Sequence, residues 1–109
     1  MTDCVFCKIA AGEIPASVVY EDDKVIAFDD LEPQMPVHTL IIPKQHFANI
    51  GDGLPDDLMG HLFNTVKKVA KIKGINKTGY RVIVNTGDDA QQSVHHIHVH
   101  VLGGAPMNS

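Results

Sequence analysis

Near the end of this chain histidine recurs at every second position, His96, His98 and His100, with Ile97, Val99 and Val101 between. A period of two is a strand signal, because side chains two apart leave a pleated backbone on the same face, about 6.6 Å apart. The spacing predicts a strand from Val94 to Leu102, with three imidazoles in one row facing one cleft and the aliphatic residues facing a core. Imidazole titrates near neutral pH and serves as base, acid, nucleophile or metal ligand. Such a row points to chemistry, since a solvent-facing strand more commonly carries Thr, Lys or Glu.

The rest of the chain offers partners for that strand. A short helical turn is expected from Cys4 to Ala11, stopped by Gly12, and Pro15 opens an extended stretch from Ser17 to Glu21. Asp22-Asp23 reads as a hairpin turn into a strand at Lys24 to Asp29, broken by the loop of Pro33 and Pro36, with a third strand at His38 to Ile42. Pro55 with Asp56 and Asp57 opens a long helix that Gly74 ends, and Leu58, Leu62, Val66 and Val69 with Met59, Phe63 and Ala70 give it an apolar stripe. A strand follows at Tyr80 to Thr86, then a turn at Gly87-Asp88-Asp89, then the histidine strand, closed by Gly103-Gly104. The order β-β-β-α-β-β predicts an α+β domain with a five-stranded antiparallel sheet, one long and one short helix, and both helices on one face.

A chain of 109 residues without repeats or low-complexity tracts is expected to form one domain around one core. Its formal charge of −4 disfavours a broad grip on DNA or RNA, which needs a basic face, although a small anionic ligand stays open. Lys67, Lys68, Lys71, Lys73 and Lys77 read as a solvated face near a helix C-terminus. The start Met1-Thr2-Asp3-Cys4 has neither a basic segment nor a long apolar run, so no membrane partner or signal peptide is expected, and a cytoplasmic location with reduced thiols is.

Read as a pattern, His96-Ile97-His98-Val99-His100-Val101-Leu102 is His-φ-His-φ-His-φ-φ with φ apolar, and it resembles the histidine triad family. Gln92-Ser93-Val94 ahead of it, Leu102-Gly103-Gly104 behind it, and Phe28-Asp29-Asp30, Pro33 and His38 to Lys44 earlier are similar to the Hint branch. With Pro-Lys-x-His at Pro43 to His46, the resemblance covers nearly the whole chain. It implies a histidine triad fold, a homodimer, and hydrolysis of a purine nucleoside monophosphate joined through phosphorus to an amine or another leaving group.

A neutral imidazole nitrogen attacks an anionic phosphorus better than a charged nucleophile does. The resemblance gives that task to His98, with a transient nucleotidyl-histidine, and a backbone carbonyl near His96 is expected to hold its tautomer. It implies phosphate contacts from His100, Ser93, Asn85 and the Gly87 to Gln92 loop, orientation of the nucleophile by His38, and ribose hydroxyls on Asp30. The base is expected among Phe6, Ile9, Ile14, Phe28 and Leu31, with Ile14, Phe28 and Leu31 favoured. No cofactor is implied for the chemistry.

Cys4-Val5-Phe6-Cys7 has a spacing that lets two thiolates hold one zinc, but the pair needs two further ligands and also fits metal-free thiols. In some relatives the resemblance supplies those ligands, which fall here on His46 and His96. Two departures stand out. Gln91 occupies a loop position that is often glycine, and the tail from Gly103 lacks the longer aromatic ending of some relatives. A dinucleoside polyphosphate hydrolase of the Fhit type, a triad that binds catalytic zinc, and a regulatory nucleotide-binding scaffold are the rival readings. Nucleotidyl transfer fits less well, because that branch replaces the third histidine, here His100, with glutamine.

Overall fold

The computed structural model describes residues 4–108, so the first three residues and Ser109, which the reading of the two ends includes, lie outside it. Its elements are α1 (Val5–Ala10), β1 (Val18–Glu21), β2 (Val25–Asp29), β3 (Val37–Pro43), α2 (Asp56–Ile72), β4 (Tyr80–Ile83) and β5 (Val99–Gly103), with a single 3₁₀ turn at Asp88–Ala90. The strands form one sheet in the order β1-β2-β3-β5-β4. Every neighbouring pair is antiparallel. The last strand therefore inserts between β3 and β4, and the histidines reach the centre of the sheet.

Alternation along the strands separates two apolar layers. Val25, Ala27, Ile41, Val99 and Val101 pack against Leu62, Val66, Val69 and Ala70 of α2. Ile26, Phe28, Leu40 and Ile42 pack against Phe6 of α1 on the opposite face. The expectation that both helices share one face is thus corrected. β2 and β3 are buried on both sides, and one helix cannot cover both layers of side chains. Since Val99 and Val101 point toward α2, their neighbours His98 and His100 emerge beneath α1.

α2 begins after Pro55, with Asp56 and Asp57 at the positive end of its dipole. It ends in a Schellman turn, where Ile75 N–H donates to the Ala70 carbonyl at 2.9 Å and Gly74 N–H to the Lys71 carbonyl at 3.2 Å. Gly74 takes the left-handed φ of 75° that this turn requires. Full burial of Leu62 or Val69 contributes about 1.5–3 kcal/mol each. Lys67, Lys68, Lys71 and Lys77 are exposed as a solvated face would be, and two lysines also find side-chain partners: Lys73 Nζ lies 3.1 Å from both carboxylate oxygens of Asp29, and Lys68 Nζ donates to Tyr20 Oη at 3.1 Å.

Two strands are shorter than their sequence pattern. β4 ends at Ile83 rather than Thr86, and β5 starts at Val99 rather than Val94. Ahead of β5 the chain bends and is fastened to the segment after β3 instead of continuing the ladder. Ile97 N–H donates to the Phe47 carbonyl at 2.7 Å, and Gln92 Nε2 donates to the Ala48 carbonyl at 2.7 Å. At the far end of β5, a Cβ on Gly103 would lie 2.8 Å from Ile75 Cδ1 and 3.2 Å from the Gly79 carbonyl oxygen. Gly103→Ala is expected to lower stability by about 1–3 kcal/mol in urea unfolding, and an unchanged midpoint would show this junction to be looser than described.

Candidate active site

Two histidines from β5 and its entry and one from β3 meet beneath α1. His98 Nδ1 lies 2.8 Å from the His96 carbonyl oxygen, which can only accept, so the proton sits on Nδ1 and the lone pair on Nε2. In the β3–β5 register His38 faces Leu102 and Leu40 faces His100, which makes His38 and His100 diagonal neighbours. The Gln34 N–H donates to His38 Nδ1 at 3.1 Å, so the ring carries its proton on Nε2, 2.9 Å from His100 Nδ1. His100 Nδ1 must then accept, and its proton goes to Nε2. That buried nitrogen has no partner among the described residues. One backbone amide thereby sets two tautomers in series and ends in a free donor beside His98, whose ring centroid is 4.9 Å from that of His100.

His98 and His100 line a cleft of about 520 Å³. Ile14, Phe28, Leu31, Asp30 and Ser93 line it too, together with Phe6 and Ile9. Phe6 closes its floor, with its ring 5.1 Å from that of His98 at 84° and 5.5 Å from that of Phe28 at 71°. Leu31 is 94% exposed at the rim. Asp30 Oδ1 accepts the Glu32 N–H at 2.9 Å in an Asx turn, while Oδ2 stands 3.4 Å from His38 Nε2. No lysine or arginine is among the described residues that line the cleft.

Three expected residues are placed elsewhere. His96 does not line the cleft: its ring stays on the α1 side, edge-on to Phe6 with centroids 6.0 Å apart, and is held among Pro43, Cys4 and Cys7. Gln92 is buried with both of its amide hydrogens engaged: Nε2 donates to the carbonyls of Ala48 and Val94, and Oε1 accepts the Gly87 N–H at 2.9 Å. It fastens the loop, with one lone pair of Oε1 still open. Asn85 follows β4, outside the cleft lining. Gln91 takes a left-handed φ of 59°, the only positive value at a non-glycine among the described residues, which accounts for the glycine often found at this place. Ser17 lines the cleft with no pattern in the sequence to mark it, and the Gln34 amide and Pro43 carbonyl act through backbone atoms.

The ring of His96 joins a second constellation. Its Nε2 donates to the Pro43 carbonyl at 2.8 Å, so Nδ1 presents a lone pair to Cys4 Sγ at 3.3 Å, Cys7 Sγ at 3.5 Å and His46 Nδ1 at 3.2 Å. The ligand atoms of Cys4, Cys7, His46 and His96 all lie within 4.8 Å of one another. Tetrahedral zinc places two nitrogens and two sulfurs about 3.3–3.8 Å apart, so the donor set and spacing fit that ion. Cys4 caps α1, its sulfur accepting the Cys7 N–H at 3.3 Å. Burial and the neighbouring Cys4 push the Cys7 thiol up to about 11, so adjacent thiolates call for a cation.

The HIT domain family profile matches residues 11–107. The 14 kDa zinc-binding protein of Brassica juncea is 48% identical over 97% of this chain and 96% of its own length. A HIT family hydrolase from Legionella pneumophila is 48% identical with a TM-score of 0.92, covering 97% of this chain and 96% of that one. A histidine triad protein from Clostridium difficile is 47% identical with a TM-score of 0.93, covering 100% and 96%. The chain belongs to the HIT domain family, and its mixed fold with a five-stranded antiparallel sheet is the fold of these neighbours. Among the described residues no helix is long and apolar enough to cross a membrane.

Burial holds the His98 imidazole below its ordinary range, against the opposing pull of its bond to the His96 carbonyl. Burial, then the neighbouring His98 and His38, lowers His100 from 6.5 to about 4. A depressed value means that the unfolded chain binds the proton first as pH falls. His100 thus contributes stability that is present above 6.5 and is lost as pH drops through about 4. Chemical denaturation across that window should show the wild type losing stability on acidification more steeply than His100→Gln; equal slopes would contradict a buried, unprotonated His100.

Proposed function

We propose that the protein hydrolyses purine nucleoside phosphoramidates and related nucleoside monophosphate conjugates through a covalent nucleotidyl-His98 intermediate. The observation that carries this reading is the 2.8 Å bond from His98 Nδ1 to the His96 carbonyl, which leaves Nε2 with its lone pair beside a buried donor on His100 that has no partner among the described residues. Nε2 bonds to phosphorus as the phosphorus–nitrogen bond of the substrate breaks, and the amine departs with a proton drawn from water in the cleft. Water then adds to phosphorus, the bond to His98 breaks, and the nucleoside monophosphate leaves as a proton returns to solvent. His100 Nε2–H donates to a nonbridging oxygen as charge gathers there, and Ser93 at the cleft wall is a second donor. Asp30 takes the ribose hydroxyls, and Phe28, Ile14 and Leu31 take the purine.

The cleft lining, without lysine or arginine among the described residues, favours a singly charged phosphoramidate over a dinucleoside polyphosphate, whose several phosphate charges would go unneutralised. Binding alone, as in a regulatory scaffold, would not require the tautomer series from Gln34 to His100. Mass spectrometry of protein quenched during turnover of an adenosine phosphoramidate should find one nucleoside monophosphate on His98. His98→Ala should lower turnover by about 10³-fold or more while adenosine monophosphate still binds. Turnover that survives this substitution would refute the mechanism.

Zinc is the ion we assign to Cys4, Cys7, His46 and His96, where it would crosslink the start of α1, the segment after β3 and the entry to β5 without entering the reaction. A homodimer is supported by β4, an edge strand whose Tyr80, Arg81 and Val82 are exposed. Protein purified without chelators should carry about one zinc per chain, and Cys4→Ser should lower that content. Zinc well below one equivalent would remove the assignment.

A further inference from the structure

His96 belongs to two sets of contacts at once. Its ring joins the thiol cluster through Nδ1, and its backbone carbonyl holds His98 Nδ1 at 2.8 Å. That carbonyl lies ahead of β5, so no ladder of the sheet fixes it. Its position depends on anchors around residue 96, which are the bond from Nε2 to Pro43, the bond from Ile97 N–H to Phe47, and the cluster itself. A second path runs through Phe6, which stands between the two cysteines in the chain. The turn that places Cys7 N–H against Cys4 Sγ also places the Phe6 ring 6.0 Å from His96 and 5.1 Å from His98.

We propose that the Cys4–Cys7 turn is a positioning element for the nucleophile: gripping the turn holds His96 and Phe6, and those two contacts set the height and tilt of the His98 ring. Neither cysteine lines the cleft, so the effect reaches the reaction only through these neighbours. The proposal rests on His98 as nucleophile and goes beyond it by giving the cysteine cluster a part in the rate of the first chemical step. A nucleophile displaced by about 1 Å loses on the order of 10²-fold in rate, whereas an apolar cleft tolerates such a shift in binding. Loosening the turn should therefore separate chemistry from affinity.

The experiment compares zinc-loaded protein, the same protein stripped by a chelator, and Cys7→Ser. Two quantities are read in each: the single-turnover rate of adduct formation with an adenosine phosphoramidate, and the affinity for adenosine monophosphate by calorimetry. Stripping and Cys7→Ser should each slow adduct formation by about ten-fold or more, with affinity changed by less than about three-fold. Phe6→Leu keeps all of the metal ligands, so it should retain zinc and still slow adduct formation more than it weakens binding. Phe6→Leu alone decides the matter should the stripped protein and Cys7→Ser unfold. An unchanged adduct rate in folded stripped protein or in Phe6→Leu overturns the proposal, and so does an equal loss of rate and affinity. If the zinc-loaded wild type forms no adduct on His98, it is the underlying reading of the nucleophile that fails.

Discussion

One hydrogen bond inside a stretch of three residues organises the site: His98 Nδ1–H to the carbonyl of His96, at 2.8 Å. Imidazole can carry its single proton on either nitrogen, and only the partner of one nitrogen decides what the other can do. A backbone carbonyl has no proton to give, so it settles the question more firmly than a hydroxyl or a carboxyl group that can itself change state. The surrounding fold serves that bond. β5 carries His98 and His100 into the middle of the sheet, α1 covers them with Phe6, and the fastening of residues 92–97 to residues 43–48 fixes the accepting carbonyl.

A second series runs parallel to the first. Gln34 N–H, His38 and His100 form a chain in which each donor dictates the next acceptor, ending in a buried N–H without a partner among the described residues. Leaving such a donor unpaired costs on the order of 1–3 kcal/mol, a cost that recurs where a protein keeps a group ready for a ligand. Both series begin at main-chain atoms. Site precision here comes from the path of the backbone, and the side chains transmit it.

Much of the architecture was legible in the chain. The stripe from Leu58 to Ala70, bounded by Pro55 and Gly74, marked α2, and the β-branched runs around Ala27 and Ile41 marked β2 and β3. Periodicity reports which face of an element is apolar and is silent about which neighbour covers it. For that reason the insertion of β5 between β3 and β4, and the placement of α1 and α2 on opposite faces, came only with the structure. The alternation of histidines marks one row on the α1 side, but periodicity does not tell that bonds to Pro43 and Phe47 replace two more rungs of ladder, or that the ring of His96 meets the cysteines while those of His98 and His100 line the cleft. Gln92 shows a related limit: a polar residue beside a candidate phosphate loop is as well suited to tying the loop as to touching a ligand, and the three bonds that tie the loop here could not be read from the chain.

The account depends most directly on where three ring protons reside. Nitrogen-15 spectroscopy of histidine-labelled protein at neutral pH reads this without substrate or mutation. It should find His98 protonated on Nδ1 and bare on Nε2, with His38 and His100 each protonated on Nε2. A proton on His98 Nε2 would leave no lone pair facing the cleft and would contradict the account at its centre.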